Sequence, residues 1–462
     1  MVTKEGGTGR LCPRVTIDVL PDTVLLEGFE FYLGKDDADP VDSRYNYDGW
    51  QTLVHVCRRW RCIVFTSPRR LDLKLYCTQQ RLVNHKTLEI WPALPIVIFA
   101  EGTQSKEDAT NVIAALRHHN RVCKIHYCNW GSPDSLLNEF VAIDEPLPTL
   151  TSLTLISSGQ NVPVLPDFFL GGSAPRLRSL DLNGIPYPSM GKLLLSATNL
   201  VLLSLSRIPH SGYIAPETIV HCLSTLARLK SLNLGLQGPR SRAHRERRHP
   251  PPLTRVVFPN LTSLGLSGDI EYLEDILSQI ETPILNDSRF CFFNQLVFDT
   301  PLLKHFIRRT ETFMTIHTAR VQFFSWTVGV TLLGREEMAN HNREALVRLE
   351  ITCQPLDWQL SALAQVLNSL SFSLPTLESF DIAVYHEDWR GEIEVTLWRE
   401  SLHLFTTVKE ITLETEDSIR LVAPALQELA GESATKVLPA LQNLSFMAPR
   451  WQLSGPVNKA TN

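Results

Sequence analysis

The sequence predicts an α/β chain in which a small helical domain precedes a long series of strand–helix units. Three observations carry that expectation. Near the start, two short apolar stripes at helical spacing flank a polar, acidic insert. From Leu94 onward a six-residue pattern, apolar-x-x-apolar-x-apolar, returns about every 29 residues. The stretches between its copies place their apolar residues at helical rather than alternating spacing.

The helical domain opens with LPDTVLLEGFEFY from Leu20. Pro21 suits the first turn of a helix, Asp22 suits the positive end of its dipole, and Val24, Leu25, Phe29 and Tyr32 make an apolar stripe. Gly28, inside this helix, costs on the order of 1 kcal/mol of propensity. In WQTLVHVCRRWRCIVF from Trp50, the residues Leu53, Val56, Cys57, Trp60 and Ile63 share one face of a single helix. His55, Arg58, Arg59 and Arg61 fall on the wet face. Forty-odd residues cannot build a full core alone, so the stripes must bury themselves against the rest of the chain or against a partner.

The repeat is clearest from Leu150, Leu177, Leu200, Leu229, Leu261, Leu377 and Leu441. Weaker copies start at Leu94, Val122, Phe293, Val321, Leu346 and Val408. Helical stretches precede the copies, among them DATNVIAALRHHN, PETIVHCLSTLAR, DIEYLEDILSQI, LDWQLSALAQVLNSL and SIRLVAPALQELAG. A six-residue strand plus a helix in about 29 residues resembles a leucine-rich repeat of the long, helical type, which implies an α/β solenoid of parallel strands and outer helices. The Asn or Cys usual in that family is missing: Ser158, Ile208 and Asp269 stand in its place. An ordinary doubly wound sheet is the alternative, and would need twelve or more strands in one sheet. Thr310–Asn342 fits the repeat worst, and Phe323, Phe324 and Trp326 there suit core and surface equally.

Period-two geometry turns the third and fifth positions of each copy away from the core. In the first half of the array these are small and neutral, as at Ser152, Thr154, Ser179 and Ser204. In the second half they are charged, with Arg348, Glu350, Asp381 and Glu410 as the candidate target-binding residues. PRSRAHRERRHPPP from Pro239 reads as a solvated loop inserted on one face. The tail from Met447 is expected to cover the last strand edge.

At its opening the chain resembles an F-box of the fungal type, on Leu20-Pro21, Val24-Leu25-Leu26, Leu53-Val54 and Val56-Cys57-Arg58-Arg59-Trp60-Arg61. It departs from that pattern at Gly28, where a large aliphatic is usual, and in the long insert from Gly34 to Gly49. The resemblance implies docking on a Skp-family adaptor, and through it a cullin-RING ubiquitin ligase. Leu20, Pro21, Leu25, Leu53, Val56, Cys57 and Trp60 would hold the adaptor, and the repeats a target protein. The expected division is an arm at 1–19, an F-box-like domain at 20–66, a repeat region at 67–446 and a tail at 447–462. The alternative function is a repeat scaffold unconnected with ubiquitination.

Composition narrows the remaining classes. A net charge of −5 draws the protein neither to nucleic acid nor to anionic membrane. Nine cysteines without a CxxC pair read as free thiols in a reducing compartment, hence cytoplasmic and/or nuclear. No signal-peptide pattern and no eighteen-residue apolar run is present. Phosphate-binding glycine loops, HExxH and a nucleophile elbow are missing, so neither catalytic residues, cofactor nor metal is expected. His118-His119 are expected at a helix end, and Glu336-Glu337 on a wet face.

Overall fold

The computed structural model describes residues 17–33, 49–78, 92–101, 106–129, 135–159, 162–187, 191–239, 254–293, 298–334, 345–353, 356–370, 377–385, 395–403, 405–432 and 438–446. The arm before residue 17, the acidic insert at 34–48, the arginine-rich loop at 240–253, Glu336-Glu337 and the tail from 447 lie outside the described residues. The chain divides into two compact units, residues 1–100 with 105–124, and 101–104 with 125–462. Strands and helices next to the F-box-like region thus group with it, and the division falls beyond the boundary expected at 66.

The first unit holds helices α1 (Asp22–Leu33), α2 (Gly49–Val56) and α3 (Arg58–Thr66), strands β1 (Leu75–Thr78) and β2 (Ile96–Glu101), and helix α4 (Lys106–Leu116). Leu25, Leu26 and Phe29 of α1 are buried together with Trp50, Leu53 and Val54 of α2 and Ile63 and Val64 of α3. The single helix expected across 50–65 is two. At Cys57 the backbone is extended, φ −156°, ψ 170°, and its Sγ accepts a hydrogen bond from the Trp60 N–H at 3.4 Å, capping α3. Val56, the last residue of α2 before the break, is exposed, while Leu53 and Ile63 stay inside. Pro68–Asp72 form a turn, and β1 begins only at Leu75. α4 ends at Leu116, two residues before His118, which closes a turn instead of ending a helix.

β3 (Val122–Asn129) carries the chain into the second unit. There follow α5 (Ser135–Val141), β4 (Ser152–Ser157), β5 (Ser179–Asn183), α6 (Gly191–Ser196), β6 (Leu202–Ile208), α7 (Pro216–Leu223), β7 (Ser231–Leu236) and β8 (Val256–Val257). Next come β9 (Ser263–Gly268), α8 (Ile270–Gln279), β10 (Ile280–Glu281), β11 (Asp287–Phe292) and α9 (Pro301–Arg309). The last elements are β12 (Ile316–Phe324), β13 (Thr327–Gly334), β14 (Ala345–Thr352), α10 (Leu356–Leu370), β15 (Ser379–Tyr385), α11 (Val395–Leu402), β16 (Glu410–Leu413), α12 (Glu416–Glu432) and β17 (Asn443–Phe446). The architecture is mixed α/β around one large, mostly parallel sheet, ordered in this unit β3-β4-β5-β6-β7-β9-β11-β14-β13-β12-β15-β16-β17.

The register of that sheet aligns the sequence pattern with itself. Leu153, Leu180, Leu203, Leu232 and Leu264 sit side by side across five strands, and Leu155, Leu182, Leu205, Leu234 and Leu266 form a second row. None of the ten is more than 2% exposed. Burying each stabilises the fold by about 2 kcal/mol relative to exposure. The residues between them on β4, β5, β6 and β9 are half-buried or exposed. A repeated turn leads into the strands: the N–H of Leu150, Leu177, Leu200, Leu229, Leu261, Val408 and Leu441 each donates to the carbonyl three residues back.

Two strands differ from expectation. The copy at Phe293 lies mostly outside the described residues; the strand seen in this part of the sheet, β11, lies just upstream, with Ser288 in the leucine row and its hydroxyl donating to the Leu346 carbonyl at 3.2 Å. The segment at Val321 belongs to an antiparallel meander, in which β13 runs against both β12 and β14. Phe323 is core there, while Phe324 and Trp326 are exposed.

Candidate functional site

Two surfaces collect the residues singled out by sequence. On the helical part of the first unit, Leu25 and Leu53 are buried and belong to the small core. Leu20, Cys57 and Trp60 are half-buried, and Pro21 and Val56 are exposed, Val56 at 55%. The Trp60 ring packs on Phe29, with centroids 4.7 Å apart and planes at 59°. Trp60 therefore holds α3 on α1 as well as offering an edge to solvent.

Arg59, expected on the wet face, is pinned. Its guanidinium bridges to Asp22 Oδ1 at 2.6 Å and donates to the Leu20 carbonyl at 2.5 Å, which fixes the start of α1 beside α3. Arg61 donates to the Val54 carbonyl at 3.0 Å across the break at Cys57. Around the presented residues the same unit exposes Val19, Val24, Phe31 and Tyr32, Phe31 at 91%. Val24, Phe31 and Tyr32 follow helical spacing on one face of α1, with Gly28 between them. Val19 and Phe31 were missed because the amphipathic pattern was read for its inward face; a Phe beyond the stripe is the signal that could have found them.

The second surface is the outward face of the sheet. Arg348 and Glu350 of β14 lie beside Arg289 and Cys291 of β11. Arg289 bridges to Glu350 at 2.8 Å and Arg348 to Asp287 at 3.4 Å. The hydrogen bond from Arg289 to Glu350 raises the guanidinium pKa, and burial followed by the same carboxylate raises that of the Cys291 thiol. Asp381 is buried and lies 3.4 Å from Arg320, which also reaches Glu414 at 3.0 Å. Glu410 accepts from Ser445 at 3.4 Å. The charged half of the face is thus a set of cross-strand ion pairs, and Asp381 is held inside it and not offered to solvent.

Beyond these pairs, the outward row ends in aromatic residues that the sequence reading left unassigned. Phe324 and Tyr385, side by side in the β12–β15 register, stack with centroids 5.3 Å apart and planes at 14°. Both are exposed, and Trp326 follows in the β12–β13 turn. In the neutral half, burial raises the Asp181 pKa while Ser204 and His126 oppose the shift.

Among the described residues no group of three or more His, Cys, Asp or Glu is placed to hold a metal ion, and no helix is long and apolar enough to cross a membrane. Compared with models of known protein families and with curated proteins, the chain returns no match.

Proposed function

We propose that this protein is the substrate-recognition subunit of an SCF-type cullin-RING ubiquitin ligase, acting in the cytoplasm and/or nucleus. One observation carries the reading: the helical part of the first unit closes a small core on Leu25, Leu53 and Phe29 and still exposes Pro21, Val24, Phe31, Tyr32 and Val56. Leu20, Cys57 and Trp60, half-buried in the same unit, match the F-box pattern, and exposed apolar residues of this kind fit a Skp-family adaptor. The repeat-like sheet would hold the target. The subunit performs no chemistry; it raises the local concentration of target beside the conjugating enzyme.

The test is co-purification with a Skp-family adaptor. Val56→Glu, at a side chain outside the core, is expected to abolish capture while leaving the melting temperature unchanged. Trp60→Ala is a poorer probe because it removes the packing on Phe29. A wild-type chain that captures no adaptor overturns the proposal.

A second reading, an interaction scaffold whose helices merely close off the first strand, is favoured by two ties. Trp50 Nε1 donates to the Lys74 carbonyl at 3.0 Å, and Arg70 bridges to Glu30 at 3.2 Å. Under that reading Val56→Glu changes neither folding nor any partner.

A further inference from the structure

The turns that lead into β5, β6, β7 and β9 form a rim of their own. Each is centred on a buried leucine, Leu177, Leu200, Leu229 or Leu261, and backbone bonds tie each to the next. The N–H groups of Val201, Lys230 and Thr262 donate to the carbonyls of Arg178, Val201 and Lys230 respectively, all at 2.8 Å. Just before the leucines, Asn199 Nδ2 donates to the Pro175 carbonyl at 2.9 Å and Asn260 Nδ2 to that of Ala227 at 2.8 Å. Arg178, Val201, Lys230 and Thr262 therefore stand in one row. Arg176, Asn199, Arg228 and Asn260 stand in a second, on the other side of the leucines.

Four of these eight positions are cations. Arg176, Arg178, Arg228 and Lys230 are all exposed, and among the described residues none of them makes an ion pair; Arg228 Nη1 donates to Asn199 Oδ1 at 3.0 Å. Asp181, further along β5, bonds to Ser204 instead. The turns before β15 and β16 show what the same backbone does when a carboxylate is supplied. There the Lys409 N–H donates to the Glu378 carbonyl at 2.8 Å, as that of Val201 does to Arg178, and Lys409 Nζ bridges to Glu378 at 2.9 Å. The rim before β5–β9 has the cations of that arrangement without the acid. Like charges gathered on neighbouring turns repel one another, and an anion laid between them reverses the sign of the interaction.

We propose that this rim binds an acidic segment of a protein, laid across the turns with its carboxylates directed to Arg178 and Lys230 and to Arg176 and Arg228. Arg178 and Lys230 stand two strands apart, about 10 Å, which an extended chain covers in three residues. Single-stranded nucleic acid fits less well, because among the described residues no exposed aromatic side chain stands on these turns to stack a base. The inference rests on the receptor reading only for its biological meaning, by naming the class of target; binding itself is a property of the rim. The probe is a fluorescent nine-residue peptide alternating glutamate and serine, titrated into the full chain without adaptor. An alternating arginine–serine peptide and a nine-nucleotide oligothymidylate are the controls.

The glutamate peptide is expected to bind, the arginine peptide not, and added salt to weaken the complex. Arg178→Gln and Lys230→Gln should each weaken it about threefold, and the two together about tenfold. Arg178→Lys should bind as the wild type does. Lys192→Gln, in the exposed first turn of α6, removes the same charge away from these turns and should leave binding unchanged. Equal binding of the two peptides, tighter binding of the oligothymidylate than of the glutamate peptide, or equal weakening by Lys192→Gln and Lys230→Gln overturns the proposal. Should Arg178→Gln fail to fold, Lys230→Gln against Lys192→Gln still decides. Adaptor capture without peptide binding sinks this inference alone; peptide binding without adaptor capture sinks the receptor reading alone.

Discussion

Single residues show where this chain has stability to gain and where it has spent it. Gly28 lies within α1, and a Cβ added there meets nothing within 4 Å. Gly28→Ala is therefore expected to raise stability by about 1 kcal/mol through helix propensity and a less flexible unfolded chain, read as a higher melting temperature. Gly184 is the opposite case: at φ +72° its Cβ would stand 2.0 Å from the Ser157 carbonyl oxygen, so no side chain fits without moving a strand end. Asp181 carries a carboxyl whose pKa burial raises. The folded state then holds its proton at a pH where the unfolded chain has released it, so stability falls as pH rises from the unfolded value of about 4 through the folded one. Asp181→Asn should raise the melting temperature at pH 7 and make no difference at pH 3; a uniform effect at both would refute the assignment. Among the thiols, Cys62 is exposed while Cys77 is buried, its pKa pushed up to about 12 by desolvation. Mass mapping after brief alkylation should find Cys62 modified and Cys77 intact.

At the scale of elements, α8 and α9 cap one another. Glu274, buried in α8, accepts from the N–H groups of Leu302 and Leu303 at 3.0 and 2.8 Å, satisfying the first turn of α9. Arg309, at the end of α9, donates to the Leu277 and Ile280 carbonyls at 2.8 and 2.6 Å and so closes the end of α8. Desolvation lowers the Arg309 pKa to about 10, still well above neutrality, so the cation stands opposite the negative end of the α8 dipole. Glu274→Ala orphans two buried N–H groups and should cost about 3 kcal/mol in denaturant unfolding. None of this was legible in the chain, because a glutamate in an amphipathic helix reads as a wet-face residue. The helices themselves were legible, since their periodicity survives any local exception. The break at Cys57 was not, for neither proline nor glycine marks it and the cap is a thiol.

The strands were readable for the same reason they are stable: a leucine at each row position serves both pattern and packing. Where the row residue is Ser288, the pattern failed and the strand was placed too late. The turns before the strands left a signal that was overlooked, a buried apolar residue three positions ahead of the pattern, at Leu147, Ala174, Ala197, Leu226, Phe258, Phe405 and Leu438. Two of the seven are alanines, too small to stand out. The candidate sites were half legible. Their inward residues follow from periodicity, whereas exposed aromatics such as Phe31 and Tyr385 belong to no period and emerge only once the backbone is in place.

For the whole molecule, the two leucine rows are the main store of stability. Leu234→Ala, flanked on both sides in the second row and fully buried, should cost about 3 kcal/mol. Amides of β5, β6, β7 and β9 are expected to exchange more slowly than those of β17, whose burial is slight and which among the described residues pairs with β16 alone. Comparable exchange in β17 would mean that the rows do not set the global stability.

The meander of β12, β13 and β14 has a consequence in time. Elsewhere each strand meets its neighbour after about 30 residues of chain, but Ser288 meets Val347, and Thr318 meets Ser379, only after about 60. Contacts between distant residues form late because the chain between them must first be ordered. The strands before the meander and those after it should thus assemble as separate local arrays, and the seams on either side of the meander should close last. In refolding followed by pulsed hydrogen exchange, protection in β4–β9 is expected to precede protection in β14. Simultaneous protection would show that the long route around the meander imposes no delay.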